Sequence, residues 1–133
     1  MELRAIGSVS SPLRDRDAAP KQGDEDAPEA TIEIGTGFEP ALQGIGVGAE
    51  VLVLTWLDRA DRDVLSTHPR DDRSRPELGV FATRSPDRPN PIGLHRVRVL
   101  ALDGARLRVA DLEALDGTPV LDIKPVLGEA AER

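Results

Sequence analysis

The sequence predicts a mainly β fold, a small antiparallel barrel or sandwich with long loops and little helix. Three observations carry this. Short apolar runs recur between turn signals along most of the chain. No apolar period of the helical kind persists for more than a short stretch. Strands do not alternate with amphipathic helices, which argues against a Rossmann-type architecture.

Taken in order, residues 2–9 (ELRAIGSV) read as a first strand ended by Ser10, Ser11 and Pro12. Residues 12–30 are polar and carry Pro12, Pro20, Pro28 and Gly23, so they read as a long loop. TIEI at 31–34 is a short strand. The glycines at 35, 37, 44, 46 and 48 lack the strand–GxxxxGK[ST]–helix arrangement of a phosphate loop, and that reading is rejected. EVLVLTWL at 50–57 is apolar on both faces and predicts a fully buried central strand. ELGVFAT at 77–83 predicts another. LHRVRVLAL at 94–102 alternates, with Arg96 and Arg98 on one face and Val97 and Val99 on the other. Asp103-Gly104 is a hairpin turn, RLRVADL at 106–112 the returning strand, Asp116-Gly117 a further turn and VLDI at 120–123 a last strand.

The length of 133 residues fits one domain, 1–133. Aromatics are limited to Phe38, Trp56 and Phe81, so the core must be built from Val, Leu, Ile and Ala, and oligomerisation is an expected source of extra stability. There is no cysteine, which excludes disulfides and thiolate chemistry, and two histidines are too few for a typical metal cluster; no metal is expected. No apolar run is long enough to cross a membrane as a helix, and MELRAIGSVSSP lacks the apolar core of a signal peptide, so a cytoplasmic address is expected. The net charge of −7 is uneven: residues 68–98 carry 7 Arg against 4 acids, a net +3 island in an acidic chain. Such an island suits a phosphate, a carboxylate or a nucleic acid, whereas the acidic whole argues against strong non-specific nucleic-acid binding by a monomer.

Two segments carry chemistry. TRSPDRPNPIGL, residues 83–94, holds Pro86, Pro89 and Pro91, which stiffen the backbone and fix Arg84, Ser85, Arg88 and Asn90 with little further ordering entropy. DLEALDGTPVLDIKP, residues 111–125, offers Asp111, Glu113, Asp116 and Asp122 beside Lys124. It reads either as paired carboxylates for acid–base work or as plain turn chemistry.

GVFATRSPDRPNPIGL at 79–94, together with LDGTPVLDIKP at 115–125, closely resembles the TrmO (TsaA-like) family, and IGSV near the start and Lys21-Gln22-Gly23 fit its opening strand and loop. The resemblance covers most of the chain. It implies a small β-barrel, a homodimer, S-adenosylmethionine as methyl donor near the dimer interface, and methylation of N6 of threonylcarbamoyladenosine in tRNA beside the anticodon. Carried over residue by residue, it implies cofactor contacts at Lys21, Gln22, Leu57, Asp58, Arg84, Leu94, Asp116, Gly117, Thr118 and Pro119. Arg88, Asn90, His95 and Lys124 are expected on the acceptor side, and Asp58 is the candidate general base. Arg84 suits the carboxylate of the cofactor, and Asp116 its ribose or amino group.

The chain also departs from the family. Asp58-Arg59-Ala60 stands where His-x-Asn is usual, Asp87 where an aromatic is usual, His95 where a Ser and Val126 where a Tyr is usual. Several of these changes touch the acceptor side, and lost aromatics remove stacking surface for a base. Two alternatives therefore stand beside tRNA methylation: the same cofactor with a small-molecule acceptor, and a non-catalytic S-adenosylmethionine or nucleotide sensor.

Overall fold

The structure, a computed structural model, describes residues 1–14, 29–68 and 72–128. Its strands are β1 (Gly7–Ser10), β2 (Ala30–Ile34), β3 (Glu50–Trp56), β4 (Ser66–Thr67), β5 (Leu78–Gly79), β6 (Ile92–Asp103), β7 (Arg106–Ala110) and β8 (Pro119–Pro125). Six of them close into a barrel in the order β1-β2-β7-β6-β3-β8, and β4 pairs with β5 in a separate two-stranded arm. Every pairing is antiparallel. Closure leaves no unpaired sheet edge in the barrel.

The barrel is filled by alternate residues of each strand. Val9, Ile32, Val51, Val53, Val97, Val99, Leu107, Val109 and Val120 are buried and form one cluster with Leu112 and Ala114. The core is thus aliphatic, as the composition requires. Phe38 and Trp56 are half-buried and Phe81 is exposed. β6 spans 12 residues because a register shift against β7, between Val99 and Ala101, lets it bend around the wall. The alternation of β6 holds through Val99 and fades beyond that shift. Gly7 begins β1 where the neighbouring backbone comes closest: a Cβ there would lie 2.3 Å from the Glu33 carbonyl oxygen.

Outside, charged residues pair across and along the strands. Arg96 meets Glu50 at 2.8 Å, Arg106 meets Glu33 at 2.8 Å, Arg108 meets Glu29 at 3.4 Å and Lys124 meets Asp122 at 3.2 Å. These exposed pairs add little stability each, but they neutralise most of the wall's cations.

Three expectations change. The first strand does not cover 2–9 but runs Gly7–Ser10. β3 is not buried on both faces: Val51, Val53 and Thr55 point inward, while Leu52, Leu54 and Trp56 form a half-buried outer row. Residues 77–83 do not form one strand. Only Leu78–Gly79 pairs, and Val80–Ala82 is a 3-10 turn in which Val80 alone is buried. Leu65, Leu78 and Phe81 stay exposed on this arm, at 70%, 39% and 84%. No helix among the described residues is long and apolar enough to cross a membrane.

Candidate functional site

Antiparallel order sends the ends of β1, β3 and β7 and the starts of β2, β6 and β8 to the same end of the barrel. That end therefore carries three connections, 11–29, 57–91 and 111–118. The other end carries the 35–49 connection and the tight turn at Gly104, whose φ is 59°. Leu57, Asp58, Arg84 and Asp116 to Pro119 all lie on connections of the first end or at its strand termini. Lys21 and Gln22 belong to the connection 11–29 but lie outside the described residues.

The 111–118 connection leaves β7 at Asp111, which takes a left-handed φ of 68°. Asp is among the residues that tolerate this. The turn drives Leu112 and Ala114 into the core, so this end of the barrel is plugged rather than open. The loop is then tied to β1 and the residues after it. Asp116 N–H donates to the Leu13 carbonyl at 2.6 Å, Gly117 N–H to Val9 at 2.7 Å and Thr118 N–H to Leu115 at 3.1 Å. The Asp116 carboxylate accepts from Ser11 N–H at 3.0 Å and pairs with Arg14 at 3.6 Å. With the N–H groups of Asp116, Gly117 and Thr118 committed and the Thr118 carbonyl accepting from Val9 N–H at 2.9 Å, what the turn has left for a ligand are acceptors, the Asp116 and Gly117 carbonyls. That suits the amino groups of adenine and of an amino acid. Asp116→Ala is expected to cost about 1–2 kcal/mol in urea unfolding, because Ser11 N–H loses its acceptor.

TRSPDRPNPIGL is held by its own arginine. Arg88 Nη1 donates to the Thr83 carbonyl at 2.9 Å and to the Ser85 carbonyl at 3.0 Å. Ser85 N–H donates to Thr83 Oγ1 at 3.2 Å. A second clamp comes from residues just after β3. Arg62 donates to the Pro89 carbonyl at 2.7 Å and to Asn90 Oδ1 at 3.0 Å while stacking over Trp56 at 5.1 Å, and Asp61 N–H donates to Asp87 at 2.8 Å. Arg88 thus spends its guanidinium on the segment itself, and Asn90 Oδ1 is taken by Arg62. Arg84 is exposed and has no hydrogen-bond or ion-pair partner among the described residues.

Where β3 ends, Leu57 N–H donates to the Pro91 carbonyl at 2.8 Å, and exposed Asp58 follows. The structure puts His95 inside the barrel, not on an acceptor-facing surface. Its Nε2 lies 2.8 Å from Thr55 Oγ1, and both residues are buried. Burial lowers its pKa from 6.5 to about 4, so the ring is neutral at pH 7. Leu94, one residue earlier, faces outward opposite Leu54 and is 44% exposed. Lys124 is on the outer wall opposite Leu52, towards the far end of β8, and is not brought to the loop-bearing end.

Sequence reasoning missed Arg62, Ser11 and Arg14 as the groups that fix this end, because their partners are backbone groups and a distant carboxylate. The inward direction of His95 did have a signal: it shares strand parity with Val97 and Val99.

A sequence model of the family described as "tRNA-methyltransferase O N-terminal domain" matches residues 8–131. A "Probable S-adenosyl-L-methionine-binding protein" of Methanothermobacter thermautotrophicus is 44% identical over 94% of this chain and 89% of its own length. One of the same description from Archaeoglobus fulgidus is 50% identical over 94% of this chain, which spans only 34% of that protein. Among solved structures, TrmO from Pseudomonas aeruginosa superposes with a TM-score of 0.77 at 33% identity, over 100% of this chain and 57% of its own.

Proposed function

The chain belongs to the tRNA-methyltransferase O (TrmO) family, and from that premise we propose that it is an S-adenosylmethionine-dependent methyltransferase whose acceptor is N6 of threonylcarbamoyladenosine in tRNA. The observation that carries this reading is the convergence of the 11–29, 57–91 and 111–118 connections on one plugged end of the barrel. A ligand there lies across loops, not inside the barrel.

The residues present fit the cofactor. Arg84, free of internal partners among the described residues, holds the carboxylate. The acceptor-rich turn at Asp116 to Thr118 receives amino groups, and half-buried Leu57 and Pro119 give apolar walls. Lys21 and Gln22, further contacts implied by the family resemblance, lie outside the described residues. When bound, S-adenosylmethionine supplies an electrophilic methyl group on a sulfonium. The chain's own part is to orient and to exclude water. Asp58, exposed where β3 ends, is the group proposed to take the acceptor's proton. Arg84→Ala is expected to weaken cofactor binding by about 1–3 kcal/mol, read by calorimetry; an unchanged affinity would remove Arg84 from the site.

A homodimer is part of the proposal. The outer face of β3 and β6 presents Ile92 and Leu94, 42% and 44% exposed, beside Leu52, Leu54 and Trp56. An apolar row of this kind on a chain with so small a core favours association with a second copy. Sedimentation at micromolar concentration tests it.

Calorimetric titration with S-adenosylmethionine, followed by a labelled-methyl assay on tRNA bearing threonylcarbamoyladenosine, tests the function. Binding with incorporation is the expected result. Incorporation into a small-molecule acceptor but not tRNA would favour a second reading, which has its own support: the net charge is −7, and Arg96, Arg106, Arg108 and Lys124 on the barrel wall are paired with acids, so the wall itself attracts phosphates weakly. Binding without turnover on any acceptor would mark a sensor, and no binding would overturn the proposal.

A further inference from the structure

We propose that the buried Thr55–His95 pair is a positioning device for the loop-bearing end of the barrel, setting where Leu57 and Asp58 leave β3. The part of this that concerns the cofactor rests on the reading above.

The pair is out of character with its surroundings. Its strand-mates on the inner face, Val51 and Val53 on β3 and Val97 and Val99 on β6, are all aliphatic. Replacing a buried hydrogen-bonded pair by apolar groups of the same shape is close to neutral for stability. Stability alone therefore gives no reason for a hydroxyl and an imidazole at this level. Geometry does.

At Thr55, β3 changes partners. Its register against β8 shifts between Leu54 and Thr55, and that ladder ends at Thr55 opposite Val120. Against β6 the ladder continues through Thr55–Gly93 and Trp56–Ile92 and then into the Leu57 N–H to Pro91 bond. From this point on, β3 is held by β6, and the 2.8 Å Thr55–His95 bond is a buried side-chain tie between the two at this level, whereas the Glu50–Arg96 pair lies exposed at the other end of β3. Gly93 makes the tie possible. A Cβ there would lie 2.3 Å from Thr55 Oγ1, 2.7 Å from His95 Nε2 and 3.3 Å from Leu57 Cδ2. The polar pair and the Leu57 side chain therefore share the space that the missing Cβ leaves. Moving either polar partner moves the floor on which Leu57 rests, and Asp58 follows Leu57 in the chain. His95 is a positioning residue that acts through Thr55 and Leu57.

The test uses the full chain with His95→Leu, Thr55→Val, His95→Gln and, as a control, Leu107→Ala in the β7 core. All are compared at a temperature where circular dichroism shows them folded. Without cofactor, hydrogen exchange of the Leu57 amide is expected to accelerate in His95→Leu and Thr55→Val. It is expected to stay near wild type in His95→Gln, which keeps a hydrogen-bonding group, and in the control. With S-adenosylmethionine, the first two variants are expected to bind about ten-fold or more weakly, since a binding constellation must be held to within about 0.5 Å by the residues that support it, and the other two like wild type. Unchanged Leu57 exchange in His95→Leu, or acceleration as large in the control, overturns the positioning role. If wild type itself does not bind S-adenosylmethionine, the proposed function fails, and the exchange measurement still decides the role of the pair.

Discussion

Gly93→Ala is expected to destabilise the protein by about 3 kcal/mol and to lower Tm by about 10 °C. The added methyl would meet Thr55 Oγ1 at 2.3 Å and His95 Nε2 at 2.7 Å. Neither partner retreats easily, because Thr55 is fully buried and the His95 ring is packed inside the wall. The result is an overpacked barrel with a broken hydrogen bond. Thermal or urea unfolding checks the size. Its cause is checked by adding Thr55→Ala, which removes the nearest obstacle. The double variant is expected to be less destabilised than the sum of the singles by at least about 1 kcal/mol. Simple additivity would mean that the methyl is accommodated without touching the pair.

The second large effect is a loss of stability in acid. His95 has a folded-state pKa of about 4 against 6.5 when unfolded. Between those values the unfolded chain binds more protons than the folded one, so unfolding free energy rises with pH across that window. The contribution is complete above about pH 6.5 and is lost as the pH falls through 4, to a total of about 3 kcal/mol. His95→Gln removes the titration and is expected to flatten this limb. The carboxylates leave a separate trace. A hydrogen bond from Arg96, and its charge, hold Glu50 below its usual 4.5, and hydrogen bonds from Ser74 hold Asp72 below 3.8, so what they contribute is lost only at lower pH. A limb that starts near pH 6.5 in wild type and near 4.5 in the variant is the expected pattern. The same limb in both would show that His95 is solvated.

Much of the barrel was legible because its strands obey one rule. The alternation in 94–102 and the Asp103-Gly104 turn predict the β6–β7 hairpin that the structure contains. The elements that misled did so for a physical reason. Residues 77–83 are as apolar as any strand, yet only Leu78 and Gly79 find a β partner, and burial there is confined to Val80. EVLVLTWL looks buried on both faces because a barrel wall with an apolar exterior is written with the same residues as a central strand. At the candidate site, the exposed groups Arg84 and Asp58 lie on the 57–91 connection at the loop-bearing end. Arg88 and Asn90 could not be told from ligand-facing groups, because their partners are the Thr83 and Ser85 carbonyls and Arg62, and sequence does not advertise a loop that binds itself.

The barrel is closed unequally. Seven register pairs join β3 to β6, but only two, Gly7–Val120 and Ser8–Pro119, join β1 to β8. That short zipper is the natural place for the wall to part first, and the Ser11–Asp116 and Val9–Gly117 bonds fasten it from the loop side. Any ligand that spans the 11–29 and 111–118 connections is therefore also a staple across the zipper. Occupancy and closure become one equilibrium, and a ligand bound there raises the free energy of opening in proportion to the logarithm of its concentration. The protein's resistance to proteases would then report the supply of that ligand.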